Sequence, residues 1–74
     1  MHIGEKIKEE LKKQGKNPRW LSEKIPCERT NAYKILKRED LDTSLLMRIS
    51  VALHHNFFKD LSEEYDFLKE EGKK

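Results

Sequence analysis

Apolar residues recur along this chain at intervals of three and four and never alternate for long, a pattern that predicts helices and no strands. Ile3, Ile7 and Leu11 stand at i, i+4 and i+8 and mark a helix over about residues 2–14, ended by Gly15. Leu21 and Ile25 mark a short second helix over about 18–25. Asn17 suits its N-cap, and Pro18 suits its first turn, where a missing N–H is harmless. Pro26 stops that helix and turns Ile25 away from helical angles.

A third helix is expected over about 28–37, with Ala32, Ile35 and Leu36 facing inward. A fourth covers about 43–53, capped by Asp42 or Thr43, with Leu45, Leu46, Ile49, Ala52 and Leu53 toward the core. His54-His55-Asn56 forms a short joint. The fifth helix starts near Phe57, and Phe58, Leu61, Tyr65 and Leu68 continue a helical stripe along it. The expected fold class is all-α, one domain over 1–74, with a C-terminal helical extension over about 57–70.

Seventy-four residues bury only a modest core, and a charged fraction of 41% beside 35% hydrophobic residues implies a heavily charged surface. No apolar run reaches membrane length and no signal-peptide pattern opens the chain, so a cytoplasmic location without membrane contact is expected. The single Cys27 cannot form an internal disulfide, and it reads as a small buried turn residue. His54 and His55 have no cysteine or acid at ligand spacing, so no metal is expected, and His2 reads as a surface residue. There is no nucleophile–base arrangement and no glycine-rich phosphate loop. No enzymatic activity, cofactor or small-molecule ligand is therefore expected.

The formal net charge is only +2, but its distribution is uneven. Residues 1–40 hold eleven Lys/Arg against seven Asp/Glu, and residues 41–74 hold five against seven. The basic part contains two short helical patterns, over about 17–37, joined by a break of two or three residues, which is the layout of a helix-turn-helix. On a helical wheel of the third helix, Arg29, Thr30, Tyr33, Lys34 and Lys37 occupy an arc of about 140° opposite Ala32, Ile35 and Leu36. That arc carries three cations, a hydroxyl and a phenol, and no acid. Arg and Lys can donate to guanine edges, Thr can meet a base or a thymine methyl, and Tyr33 can lie against the sugar–phosphate backbone.

These residues resemble the lambda Cro/repressor-like helix-turn-helix family, also called the Xre family, over about residues 3–61. Leu21-Ser22 supply its apolar-then-small pair, and Ile25 its apolar helix end. Cys27 supplies its apolar turn residue, and Ala32 and Ile35 its buried positions in the second motif helix. An I-G opening is present as Ile3-Gly4, and Ile49 to Leu53 match the I-x-x-A-L ending of the fourth helix. The stretch R-T-N-A-Y-K-I, the Asp42-Thr43 cap and H-N-F-F look like a group of short Bacteroidetes regulators. The resemblance implies a compact five-helix lambda-repressor-like domain that binds double-stranded DNA as a transcriptional regulator.

Carried over by position, the resemblance implies that Arg29, Thr30 and Lys34 read bases, with Asn31 as a fourth candidate. It also implies that Arg19, Lys37 and Arg38 contact the backbone. Pro26 stands where the family usually has glycine, and Pro18 where it often has glutamine. Leu11 and Leu36 replace a paired arginine and glutamate, and both having become apolar predicts that they touch. Phe57, Phe58, Leu61, Tyr65 and Leu68 either close the core or supply a homodimer seam, and a dimer is expected as the route to reading a palindrome. The alternative is a protein-interaction module on the same fold, an adaptor or antitoxin with little or no DNA reading. Pro18, Pro26 and the acidic Glu39-Asp40 favour that alternative.

Overall fold

The computed structural model describes residues 1–25 and 32–71. Five helices follow one another, and no strand occurs among the described residues. They are α1 (Ile3–Lys13), α2 (Pro18–Lys24), α3 (Ala32–Ile35), α4 (Thr43–Leu53) and α5 (Phe57–Glu71). No helix among the described residues is long and apolar enough to cross a membrane. Of the third helix expected over about 28–37, residues 28–31 lie outside the described residues, as do Pro26 and Cys27. Its described part closes with a tighter turn. Leu36 N–H still bonds the Ala32 carbonyl at 2.9 Å, but Lys37 and Arg38 donate only three residues back, to Lys34 and Ile35.

The helix ends follow their local chemistry. The Asn17 side chain accepts from Trp20 N–H at 2.9 Å, and Asp42 accepts from Leu45 N–H at 2.7 Å, so Asp42 rather than Thr43 caps α4. At the end of α1, Gly15 takes φ +70°, Gly15 N–H bonds Lys12 and Lys16 N–H bonds Leu11, which satisfies two terminal carbonyls. The same 6→1 and 5→2 pair ends α4, from His55 to Ser50 and from His54 to Val51, with His54 in the left-handed position at φ 52°. His2, expected as a surface residue, is the N-cap of α1, its Nδ1 accepting from Glu5 N–H at 3.1 Å.

One core cluster draws on every helix: Ile3, Ile7 and Leu11 of α1, Leu21 of α2 with Ile25, Ala32 and Ile35 of α3 with Leu36, Leu46, Ile49 and Leu53 of α4, and Phe57 of α5. Trp20, Leu41, Leu45 and Phe58 pack against it, half-buried. Leu11 and Leu36 are both in this cluster and border the same recess.

Gly4 is where the fold is tightest. Ile3 and Gly4 donate their N–H groups to the carbonyls of Glu39 and Arg38 at 3.0 and 2.9 Å, so the segment after α3 satisfies donors that a helix start otherwise leaves unmet. A Cβ at Gly4 would stand 2.4 Å from the Leu36 carbonyl oxygen and 2.7 Å from that of Arg38. Only glycine lets the two backbones approach this closely.

A polar group fastens α1 to the α4–α5 joint. Gln14 donates to Glu10 and to the Leu53 carbonyl, each at 2.8 Å. His55 stands between two carboxylates, 2.7 Å from Asp60 and 3.5 Å from Glu10, with its ring edge-on to Phe57. His55 thus meets two acids that the fold brings to it. One partner is forty-five residues away in sequence, and the other lies in the first turn of α5. Even so, no group of three such residues among the described ones could hold a metal ion.

The stripe on α5 divides. Phe57 is buried at 1% exposure and Phe58 is half-buried, but Leu61, Tyr65 and Leu68 are 38%, 62% and 54% exposed. Phe57 therefore belongs to the core and drops out of the expected dimer seam, while the last three remain uncovered.

Candidate nucleic-acid interface

Three anchors set the orientation of α3. Ala32 and Ile35 are buried, Leu36 follows them into the core, and Ala32 N–H donates to Ser22 Oγ of α2 at 3.3 Å. The small residue expected at Ser22 thus does two things. Its size lets α2 and α3 approach, and its hydroxyl satisfies the first described N–H of α3, a bond worth about 1 kcal/mol. With that side of α3 fixed inward, Tyr33 and Lys34 point outward, and Lys37 and Arg38 are exposed in the turn that follows. Arg29, Thr30 and Asn31, three of the four expected base readers, lie outside the described residues.

Arg19 stands in the first turn of α2, its side chain 84% exposed and 3.7 Å from Glu23 one turn on. An exposed pair of this kind is weak and leaves the guanidinium available to another anion. Trp20, beside it, packs against the core, and its ring is flanked by Lys16 Nζ at 4.1 Å and Lys24 Nζ at 5.7 Å from the centroid. The indole thus holds two ammonium groups near the surface of α2. Glu39 and Asp40 are exposed next to Arg38, and the Glu39 carbonyl is engaged by Ile3 N–H.

A set of cations overlooked in the sequence adjoins this face. Lys8 and Lys12 of α1, with Lys16 just beyond it, border a recess together with Leu11, Asn17, Pro18 and Leu36. The recess joins the outer side of α1 to the start of α2 and to the residue before Lys37. The signal was present, since residues 8, 12 and 16 follow the same i, i+4, i+8 spacing as the buried stripe. Lysines on a helix exterior read as a solvated face until the fold brings them beside α2 and the end of α3.

Lys8, Lys12 and Lys16 thus border a recess that reaches Pro18, next to Arg19, and Leu36, next to Lys37, while Tyr33, Lys34, Lys37 and Arg38 are exposed on α3 and the turn after it. Clustered cations of this kind are able to form charge-assisted contacts to an anion. Comparison with protein-family models, curated proteins and solved structures finds no match to this chain.

Proposed function

We propose that this chain is a sequence-specific DNA-binding transcriptional regulator, a single lambda-repressor-like helix-turn-helix domain acting in the cytoplasm. In this reading the helix expected over about 28–37 enters the major groove. One observation carries the proposal: α3 buries Ala32 and Ile35 while Tyr33, Lys34, Lys37 and Arg38 face outward, beside a lysine-bordered recess.

The roles divide by chemistry. Lys8, Lys12, Lys16, Arg19, Lys37 and Arg38 hold phosphates and fix the register of the duplex. Arg29, Thr30 and Lys34, with Asn31, read base edges, and Tyr33 lies along the backbone. The tight junction at Gly4 matters here too, because it anchors Arg38, and hence the exit of the reading helix, to the start of α1. Occupancy of an operator is the mechanism, and a homodimer would double the contact and match a palindromic site.

A gel shift with genomic fragments, followed by titration of a selected site, tests the reading. Lys34→Ala should weaken the selected site by about 1–3 kcal/mol and nonspecific duplex far less if Lys34 reads a base. Equal loss on every sequence would make it a phosphate contact, and no shift at all would defeat the proposal. The second reading, a protein-interaction module on the same fold, draws on the uncovered apolar side chains of α5 and its acidic flanks.

A further inference from the structure

The lysines beside α1 border more than an open surface. Lys8, Lys12 and Lys16 rim a recess of about 190 Å³ that runs down to the buried Leu11 and Leu36, with Pro18 half-buried beside them. A phosphate group can use the ammonium groups of this rim, but it leaves the apolar floor bare. A ligand that joins an anionic head to an apolar body uses both.

The rim is short of negative charge. Lys8 and Lys12 stand one turn apart on α1, and neither meets an acid among the described residues. Like charges at that spacing repel, so an anion held between them relieves a strain already present in the single chain. Lys16 donates to Gln14 Oε1 at 2.9 Å and lies 4.1 Å from the centroid of the Trp20 ring. Its ammonium group is therefore held in place, and the same contact shows that the rim tolerates an aromatic face beside a cation. A closed apolar cavity of about 150 Å³ accepts a benzene ring. The recess thus has room for one ring, with a carboxylate directed at the rim.

We propose that this recess binds a small aromatic carboxylic acid as its anion. The ring lies against Leu11, Leu36 and Pro18, and the carboxylate sits among the ammonium groups of Lys8, Lys12 and Lys16. The acid then competes with a duplex for the same three lysines, so its binding and that of DNA weaken one another reciprocally. This competition rests on the DNA-binding reading, whereas the ligand site itself does not.

An NMR titration of the full chain with benzoate, without DNA and at constant ionic strength, tests the site. Benzoate should bind saturably with a Kd of about 1 mM or below. The largest amide shifts should fall on Leu11, Lys12, Asn17 and Leu36. Acetate, which lacks the ring, and benzyl alcohol, which lacks the charge, should each bind about tenfold more weakly or less well still. Lys8→Ala and Lys12→Ala should each weaken benzoate by about fivefold. Both lysines are exposed, so helix content should match the wild type. Arg48→Ala removes an exposed cation outside the recess and should leave benzoate binding unchanged. No saturation by about 10 mM, equal binding of acetate, or shifts centred elsewhere overturns the proposal. Anisotropy with a labelled duplex then tests the competition: benzoate at about ten times its Kd should weaken the duplex by about threefold or more. Duplex affinity indifferent to bound benzoate overturns the competition. A chain that takes benzoate in the recess but binds no duplex supports the ligand site and defeats the DNA-binding reading alone.

Discussion

Helices α1 and α5 carry nearly the same apolar spacing and meet opposite fates. Ile3, Ile7 and Leu11 of α1 are all buried, whereas Leu61, Tyr65 and Leu68 of α5 stand in solvent. Periodicity builds an amphipathic helix in both cases, but burial depends on what the rest of the chain can bring against it. For α1 that cover includes the segment after α3, admitted by the missing side chain at Gly4, and the joint between α4 and α5. For α5 Phe57 is buried and Phe58 packs half-buried against the core, but Leu61, Tyr65 and Leu68 find no such cover. The same spacing thus fixes the fold where the chain covers it and leaves an apolar surface where it does not.

The largest expected break in this comparison comes from the α1 side. Leu36→Ala opens a cavity in the core beside the recess that Leu11 also borders, and equilibrium urea unfolding should show a loss of about 2–5 kcal/mol. Next, Gly4→Ala forces a methyl group into the Leu36 and Arg38 carbonyls. The same measurement should show a loss of about 2–3 kcal/mol, with the α1 to 36–39 junction opened. A Gly4→Ala chain of undiminished stability would mean that α1 is not held against the end of α3 as described. On the α5 side, Leu68→Ala should change the stability of the dilute single chain by less than about 0.5 kcal/mol. A loss comparable to that from a core leucine would show that the α5 stripe is already covered within one chain.

Much of the fold was legible in the residues, and the reasons are local. Asn17, Asp42 and Gly15 act through bonds within one turn, so their types and positions alone located the ends of α1, α2 and α4 to within about a residue. The inward sets of α1 and α2 followed from spacing, as did Leu45, Leu46, Ile49 and Leu53 of α4, whereas Ala52, expected toward the core, borders an open recess. His2 was missed because histidine is not a customary N-cap residue, although its Nδ1 can accept the bond. His55 was missed because Glu10 reaches it only through tertiary packing. In the candidate site, the outward turn of Tyr33, Lys34 and Lys37 was legible from the wheel, and Arg38 came only with the family resemblance. The Lys8–Lys12–Lys16 border was not, because its meaning arises from the placement of α1 beside α2 and Leu36.

The account rests on the cationic surface meeting a duplex, and salt dependence probes that most directly. Fluorescence anisotropy with a labelled duplex should give a linear fall of log K with log salt, at a slope of about −0.9 per neutralised phosphate. Replacing Lys8, Lys12 and Lys16 together with alanine should make that slope shallower by about two to three while leaving sequence preference intact. A wild-type chain whose weak binding is indifferent to salt, or a triple variant with an unchanged slope, would contradict the account.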